Sequence, residues 1–216
     1  MSFHNIKTIF LVIIIINIIV KHVNTQPNIK RSDLFCVLSY DKIYFAGGIN
    51  SQEILTDDFF YLDLNISFNT KPPNSLPFRE AQKSPFKHRD SALISSNNDT
   101  IYLFVGTKDN GDDNLVYEYN QNSNEWKPIP KNGFTLPKTF AKVQAIKDEI
   151  HDIVYLYGKE TEFKMYIYNL TTNSWNITTS PYNLSLTTAV MVENEIYYIG
   201  GSDQIMNKVI MMIFIL

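Results

Sequence analysis

The stretch Ile43-Tyr44-Phe45-Ala46-Gly47-Gly48 returns three times further along the chain. The later copies read Ile101-Tyr102-Leu103-Phe104-Val105-Gly106, Val154-Tyr155-Leu156-Tyr157-Gly158 and Ile196-Tyr197-Tyr198-Ile199-Gly200-Gly201. Their first tyrosines, at positions 44, 102, 155 and 197, are separated by 58, 53 and 42 residues. A period of this size is typical of stacked structural repeats. Because β-branched and aromatic residues dominate each copy, the sequence predicts an all-β repeat array.

Each copy follows a short apolar stretch across a polar turn. In the first unit, Phe35 to Leu38 precede the turn at Tyr40-Asp41-Lys42, and in the second, Ala92 to Ile94 precede Asn97-Asn98-Asp99. Turn-forming residues between two β-rich runs indicate a β-hairpin. Every unit is therefore predicted to begin with a hairpin whose second strand ends at glycine.

A second recurring phrase follows the glycines. It reads Val116-Tyr117-Glu118-Tyr119-Asn120 and ends at Trp126, and it returns as Met165-Tyr166-Ile167-Tyr168-Asn169, ending at Trp175. The tyrosine-to-tryptophan step is seven residues in both copies, and we assign Phe68 to the tryptophan position of the first unit. Tyrosines at every second position indicate a strand with one aromatic face. The phrase therefore predicts a third strand and, after a tight turn, a short aromatic fourth strand. Together with the hairpin, these give each predicted unit four strands.

These residues resemble the kelch repeat, the blade of a β-propeller of the galactose oxidase-like, kelch type. The match lies in the glycine pairs and in the tyrosine-tryptophan pairs, and it covers roughly residues 34 to 205. The resemblance implies four-stranded blades around a common axis, glycines that permit positive φ at a sharp turn, and aromatic rings packed between neighbouring blades. The residues that carry it are Gly47, Gly48, Gly106, Gly158, Gly200, Gly201, Tyr119, Trp126, Tyr168 and Trp175.

The repeat has departures, because the second and third units keep one glycine each, Gly106 and Gly158. We place the units at about 34–90, 91–139, 140–186 and 187–216, which is about three and a half to four four-stranded blades, and we expect the propeller to be incomplete. The tail from Val209 aligns with a third strand. Propellers usually have four to eight blades and must close. Three interpretations are open: a truncated copy of a larger propeller, a small self-contained one, or a chain that self-associates through its open edge.

The first 25 residues are predicted to be a secretory signal peptide. Lys7 precedes an apolar run from Ile9 to Val20, which as a helix of 12 residues would be about 18 Å long, short of a bilayer core of roughly 30 Å. Cleavage is expected near Thr25 and Gln26, followed by a polar linker over residues 26–33. The predicted location is extracellular. The alternative is an uncleaved membrane anchor formed by residues 9–20.

Asn-x-Ser/Thr sequons agree with secretion and mark possible N-glycosylation sites. They occur at Asn65, Asn98, Asn169, Asn176 and Asn183.

Residues that could carry chemistry are few. The formal net charge of −3 and the absence of a long basic run argue against nucleic-acid binding. We predict solvent-exposed or loop positions for His88 and His151, and solvated turns for the aspartates near Asp57 and Asp109. Cys36 is predicted to be a small buried apolar side chain in the first strand. The family resemblance implies copper held by two histidines and two tyrosines in its oxidase members, and this sequence does not match that pattern. We therefore expect no cofactor, no metal and no catalysis.

The leading functional hypothesis is a secreted or cell-surface scaffold that binds another protein, with glycan as the second option. Binding would use rim loops, and the candidates are Asn50 to Thr56 and Lys108 to Asn114, which vary while the strands repeat. Two alternatives remain: an extracellular propeller enzyme, an oxidase or a carbohydrate-active protein, whose catalytic blades are missing here, or a truncated non-functional copy.

Overall fold

The structure is a computed structural model that describes residues 31–69, 76–96, 99–109, 113–135, 141–159, 164–179, 188–192, 195–199 and 211–215. Over these ranges the regular structure consists of β-strands joined by turns, with no α-helix. No helix in this part of the chain is long and apolar enough to cross a membrane. The predictions for the leader, for Thr25 and Gln26, and for Gly200 and Gly201 lie outside the described residues.

The described strands follow one another in short steps. They are β1 (Arg31–Ser32), β2 (Phe35–Ser39), β3 (Lys42–Ala46), β4 (Ile49–Asn50), β5 (Phe59–Asp63), β6 (Phe78–Glu80), β7 (His88–Arg89), β8 (Ala92–Ser95), β9 (Thr100–Phe104), β10 (Thr107–Lys108), β11 (Val116–Asn120), β12 (Glu125–Ile129), β13 (Ala141–Asp148), β14 (Ile153–Lys159), β15 (Lys164–Asn169), β16 (Ser174–Thr179), β17 (Thr188–Val192), β18 (Glu195–Ile199) and β19 (Met211–Ile215).

Fifteen of these strands form four antiparallel sheets that correspond to the predicted repeats, and the other four form two short pairs, β1 with β4 and β7 with β10. The first sheet has the order β2-β3-β5-β6, the second β8-β9-β11-β12, the third β13-β14-β15-β16, and the fourth β17-β18-β19. Each sheet runs outward in chain order, so the predicted sequence of hairpin, third strand and outer strand is confirmed in the first three sheets. The tail strand β19 pairs with β18, in the third-strand position that the sequence alignment gives it.

Successive sheets pack through their first strands. β2 lies near β8, β8 near β13, and β13 near β17. This side-by-side series places the four first strands along one common side, as the inner strands of a propeller lie around its axis. The described sheets do not close into a ring.

The core lies in the seams between sheets, because successive residues of a strand point to opposite faces. Along β3, Tyr44 and Ala46 pack toward the second sheet, where the Tyr44 ring lies 6.1 Å from the ring of Tyr119. Ile43 and Phe45 face the other way and join a separate cluster on the outer face of the first sheet. Both faces of β3 carry apolar residues, so the first sheet is buried on both of its faces.

The seven-residue spacing of the second phrase is explained by a turn that the chain uses twice. The hydroxyl of Tyr119 donates to Asn124 Oδ1 at 2.8 Å, and the hydroxyl of Tyr168 donates to Asn173 Oδ1 at 2.9 Å. Both asparagines have positive φ, 56° and 52°, which asparagine tolerates better than most residues. The tryptophan two residues later pairs directly across the hairpin with the tyrosine.

The assignment of Phe68 to the tryptophan position is wrong. Leu62 occupies the place of Tyr119 in the first sheet, and its partner across the hairpin is Phe78. Phe68 lies instead in the connection between β5 and β6, where its side chain is exposed. The cause is a longer connection: residues 64–77 join these strands, whereas residues 121–124 suffice in the second sheet.

Candidate functional site

The strongest candidate for a binding surface is the rim at which β3 and β9 end, here called the glycine-turn rim. It consists of the loop 47–58 in the first sheet, the described parts of the loop 105–115 in the second, and the linker 81–87 that joins the two sheets. Both predicted contact loops, Asn50 to Thr56 and Lys108 to Asn114, belong to it.

Two short strand pairs fix this rim, and the sequence patterns do not reveal them. β1 pairs with β4 and places Ser32 opposite Ile49, while β7 pairs with β10 and places Arg89 opposite Thr107. In both sheets, the segment that enters the first strand is thereby bonded to the residues that leave the glycine turn. The residue after each entering strand, Asp33 or Asp90, has positive φ and redirects the chain into the sheet.

His88 is the centre of the rim's internal structure. Its side chain is 0% exposed, so the prediction of a solvent-exposed or loop position is wrong. The ring nitrogen Nδ1 lies 2.9 Å from the hydroxyl of Ser91, and Nε2 lies 3.2 Å from the hydroxyl of Ser84. Two hydroxyl groups, each able to donate or accept, match the one donor and one acceptor of a neutral imidazole.

Burial lowers the pKa of His88 to about 4, although the charges of Asp57 and Asp109 act in the opposite direction. The ring is therefore neutral at physiological pH. A serine hydroxyl beside a neutral imidazole has the geometry of a nucleophile and its base. Here, however, Ser84, His88 and Ser91 are all buried, with exposures of 5%, 0% and 0%, and a substrate has no path to them. The cluster is a polar core that holds the rim.

The first glycine of the pair is required by His88. A Cβ atom on Gly47 would lie 2.5 Å from the His88 carbonyl oxygen and 2.6 Å from its Cε1 atom, distances at which atoms overlap. Gly47 also has a φ of 63°, and the neighbouring Gly48 a φ of 91° with its N–H donating to the His88 carbonyl at 2.8 Å. Only a residue without a side chain fits this contact.

The second glycine position is required by a different contact, with the strand that enters the same sheet. This explains why the second sheet has only one glycine. Gly106 stands where the first sheet has Gly48, and a Cβ there would lie 2.1 Å from the carbonyl oxygen of Asp90. Val105 takes the place of Gly47, and its side chain is accommodated in the seam core. The second sheet therefore keeps the glycine demanded by its own entering strand.

In the third sheet, a β-bulge is found near the end of the second strand, where the first two sheets have a break. Gly158 lies within β14, and the register between β13 and β14 shifts between Ala141 and Gln144. Lys142, at the bulge, has a φ of 52°. A bulge absorbs one residue of a strand pair, so the strands can run on without the break seen in the first two sheets.

The loop over residues 50–56 is held in shape by its own hydrogen bonds. Asn50 Oδ1 accepts from the backbone N–H groups of Gln52 and Ile54 at 2.9 and 3.0 Å, and the Asn50 N–H donates to the Ile54 carbonyl at 3.0 Å. At its base, the buried Thr56 hydroxyl donates to the Gly47 carbonyl at 3.0 Å. The tip presents Ile54, which is 49% exposed, beside the exposed Glu53.

The second loop is attached to the linker. Lys108 Nζ lies 5.1 Å above the ring of Phe86 and donates to the Asn114 carbonyl at 3.3 Å. Further along, Asp113 forms an ion pair with Lys131 at 3.1 Å. Residues 110–112 at its tip lie outside the described part of the chain.

A cavity of about 400 Å³ opens at the outer side of the rim, between β1 and β6. Its lining carries both signs of charge, and Asp58 is ion-paired with Arg31 through the Nε and Nη2 groups. Lys83, on its edge, is paired with Asp57 at 3.0 Å. A surface of mixed, largely paired charge suits a protein partner better than a polyanion.

The four aromatic repeat residues lie in the seams and not on the rim. Trp126 packs at 4.9 Å from Phe59 of the first sheet, and Trp175 lies 6.2 Å from Phe104 of the second sheet. Both indoles are half-buried. Tyr119 and Tyr168 are buried beneath them at 3% and 1% exposure, in the seams on which the sheets depend.

The predicted glycosylation sites occupy different surroundings. Asn65 lies in an exposed turn after β5, and Asn176 lies on the outer strand β16 with its side chain exposed. Asn169 is half-buried, and its Oδ1 accepts from the N–H groups of Thr171 and Thr172 at 3.0 and 2.9 Å. Asn98 and Asn183 lie outside the described residues.

The remaining candidates stay apart from one another. His151 is exposed in a turn and bonds Asp148 Oδ2 through Nδ1 at 2.7 Å. Cys36 is half-buried in β2, where burial raises the pKa of its thiol to about 11. Within the described ranges, no three histidine, cysteine or carboxylate side chains are grouped to hold a metal ion.

The comparisons with known proteins agree with this architecture. A family model described as the Attractin/LZTR1 beta-propeller matches residues 15–209 of the 216 in the chain. None of the curated proteins with which the sequence was compared matches it.

Proposed function

The chain belongs to the Attractin/LZTR1 β-propeller family, a kelch-type propeller family, and we propose that it is an extracellular scaffold that binds another protein through the glycine-turn rim. Membership of this family supports a protein-interaction scaffold in general terms. The rim, the extracellular location and the absence of catalysis are our own inferences.

One observation carries the choice of surface. The loop 50–56 is preorganised by four internal hydrogen bonds and holds Ile54 out into solvent at 49% exposure. A preorganised loop loses little conformational freedom when it binds, so more of its contact energy appears as affinity. An apolar side chain surrounded by polar groups is also the usual composition of an interface centre and its edge.

The proposed absence of catalysis rests on the buried polar cluster. Ser84 and His88, the serine and imidazole that lie in contact, are both buried in the core. The solvent-exposed rim offers paired charges and an apolar tip, which are features of recognition. We place glycan second as a partner, because the half-buried indoles of Trp126 and Trp175 already pack against other aromatic rings of the seams.

The proposed location rests on the leader-like segment 1–25 and on the sequons. Entry into the secretory pathway would make the chain a glycoprotein, and retention of residues 9–20 would make it membrane-anchored.

The test compares two exposed isoleucines at opposite ends of the sheets. Ile54→Glu alters the glycine-turn rim, and Ile150→Glu, at 80% exposure in the β13–β14 turn, is the matched control. Proteins captured from the cell surface by the purified secreted chain would be identified, and the affinity of each for both variants measured. We expect Ile54→Glu to weaken binding at least about tenfold, which corresponds to about 1.4 kcal/mol, and the control to bind like the parent.

Equal binding by both variants would reject the glycine-turn rim as the contact surface. Loss of binding by the Ile150→Glu variant alone would move the surface to the opposite rim. Failure to capture any protein, with correctly folded chain, would reject the scaffold function itself.

A further inference from the structure

Large apolar side chains are exposed together at the end of the first sheet that lies opposite the glycine-turn rim. We call this group the apolar turn patch. Its members are Leu38, Tyr40, Leu64, Ile66 and Phe68, with exposures of 41%, 62%, 40%, 37% and 38%. In the described part of the chain, only three other large hydrophobic residues are as exposed, and they are scattered over separate loops and strands. Large apolar side chains exposed in one region usually mark a surface that another molecule contacts or shields from water.

The fold brings the members of the patch together through two adjacent turns. The N–H of Leu64 donates to the carbonyl of Asp41 at 2.8 Å, which joins the turn after β5 to the turn between β2 and β3. Asp63 Oδ1 accepts from the N–H of Asn65 at 3.0 Å and fixes the start of the second turn. The sequence separation of these turns hides the patch from sequence analysis.

Asn65 lies in the second of these turns, between the patch residues Leu64 and Ile66 in the sequence, and its own side chain is exposed. It opens the sequon Asn65-Ile66-Ser67. We propose that an N-linked glycan on Asn65 covers the apolar turn patch and keeps this rim from associating with other proteins. The inference rests on the entry into the secretory pathway proposed above, and it leaves the glycine-turn rim as the free surface.

The chemistry of the modification is complete with one co-substrate class. The Asn65 side-chain nitrogen attacks the anomeric carbon of an oligosaccharide carried on a lipid diphosphate. A carbon–nitrogen bond forms, the bond between the sugar and the diphosphate breaks, and the amide loses one proton as the lipid diphosphate leaves. No oxidant or reductant is needed.

A carbohydrate is suited to this cover because it has two kinds of surface. The C–H faces of pyranose rings pack on aromatic and aliphatic side chains, such as those of Tyr40 and Ile66, and remove them from water. The hydroxyl groups on the outer side remain hydrated. The result is an apolar surface replaced by a solvated one, which lowers the tendency to associate.

The other described sequons lack this combination. Asn176 is exposed on β16, but its only strongly exposed apolar neighbour among the described residues is Ile177, at 44%. Asn169 is half-buried, and its carboxamide oxygen holds the β15–β16 turn. Asn65 alone among the described sequons joins an accessible acceptor to an apolar cluster, and Asn176 is its natural control.

The experiment produces the full chain in secretory cells and measures sugar occupancy at Asn65 and Asn176 by peptide mass spectrometry. Ser67→Ala removes the first sequon and Thr178→Ala the second. We expect Asn65 to be occupied. We expect Ser67→Ala to raise the fluorescence of an apolar-surface dye at least about twofold and to increase self-association in light scattering, while Thr178→Ala behaves like the parent.

A second measurement does not depend on folding without the sugar. An endoglycosidase that trims glycans to a single sugar is applied to the folded parent and to the Ser67→Ala variant, and the dye signal should rise in the parent alone. An unmodified Asn65 beside a modified Asn176 overturns the inference and leaves the secretory route intact. If neither site is modified, the secretory route fails and the inference fails with it. Occupancy of Asn65 with no change in dye binding or association after removal or trimming rejects the covering role.

Discussion

Two linkers carry the chain from one sheet to the next, and they are fastened to the same kind of residue in different ways. In the first linker, the Gln82 carbonyl accepts from the indole N–H of Trp126 at 2.9 Å. In the second, the ring of Phe134 stacks flat on Trp175, with centroids 4.7 Å apart and planes inclined by 3°. The first linker is held by hydrogen bonds and the second by ring contact.

The difference extends to the whole of each seam. The first seam contains the buried His88 and its two hydroxyl partners, and His88 demands a glycine at position 47 in the sheet before it. The second seam is a cluster of aliphatic and aromatic side chains beside a bulge, and a single glycine suffices. The need for a glycine at position 47 therefore follows from the residue that the next repeat inserts, and the valine at the matching position 105 is not a measure of how well the second repeat is preserved.

The strongest test of this comparison is Gly47→Ala. The new Cβ would overlap the His88 carbonyl and ring, in a backbone with positive φ, so we expect a loss of about 4 kcal/mol in the free energy of unfolding, or failure to fold. Gly133→Ala is the control, since Gly133 also has positive φ, 81°, but has no atom within 4 Å of the added Cβ. It should lose only about 1 kcal/mol. Chemical denaturation measures both, and similar losses would disprove the contact between Gly47 and His88.

The second test uses pH, because among the described residues only the first seam contains a buried histidine. The His88 pKa of about 4 in the folded state lies below its ordinary value of 6.5 in the unfolded chain. The unfolded chain therefore takes up a proton first. Stability is complete above pH 6.5, falls between pH 6.5 and pH 4, and loses about 3 kcal/mol from this residue in total.

Other groups titrate in the same range, so the test is a difference between variants. Burial raises the pKa of Asp90, which makes the folded state gain stability as pH falls and partly offsets the histidine. His88→Gln cannot titrate. We expect it to be less stable than the parent at pH 7.5 but to lose less stability from pH 6.5 to pH 4 in urea denaturation. Parallel pH profiles would mean that His88 is not buried as a neutral ring.

The third test truncates the two seam tryptophans. Full burial would predict a loss of roughly 3–5 kcal/mol for each replacement by alanine. Because both indoles are half-buried, we expect about 2–3 kcal/mol for Trp126→Ala and for Trp175→Ala. Thermal melts of the two variants provide the measurement. If both melt like the parent, the seams do not depend on these rings.

The smallest effect separates the two tyrosine-asparagine turns. Asn124 Oδ1 accepts from Tyr119 and also from the N–H of Gln82 in the first linker, at 2.8 Å in both cases. Asn173 Oδ1 accepts from Tyr168 and, within the described residues, from no linker group. Asn124→Ala should therefore destabilise by about 0.5–1 kcal/mol more than Asn173→Ala, since the positive φ is common to both. Equal losses would show that the linker bond contributes nothing.

Much of the architecture could be predicted from the sequence, because its strands and turns are determined by residues close together in the chain. The alternation of Tyr117 and Tyr119, and of Tyr166 and Tyr168, predicts strands correctly, and the repeated glycine phrase predicts the order of strands within each sheet. Strand periodicity and turn chemistry depend on neighbours within a few residues. Family membership and the all-β fold follow from these same patterns.

The parts that could not be predicted depend on distant contacts. His88 is flanked by charged residues and reads as a surface position, yet its ring is buried against Gly47, on another loop. One local signal exists: Ser84, Phe86 and His88 alternate with exposed residues, as in a strand with one buried face. Phe68 was misassigned because the length of the connection after β5 breaks the spacing of the other repeats.

The position of His88 has a consequence for how such a chain can be rearranged. The histidine stands at the start of one repeat, but the space that receives it belongs to the repeat before. A duplication copied from Phe35 to Lys87 would carry Gly47 and lose the His88 ring that packs against it. A recombination breakpoint between Gly47 and His88 therefore separates two residues that pack against each other. We expect recombination that preserves folding to keep both residues together.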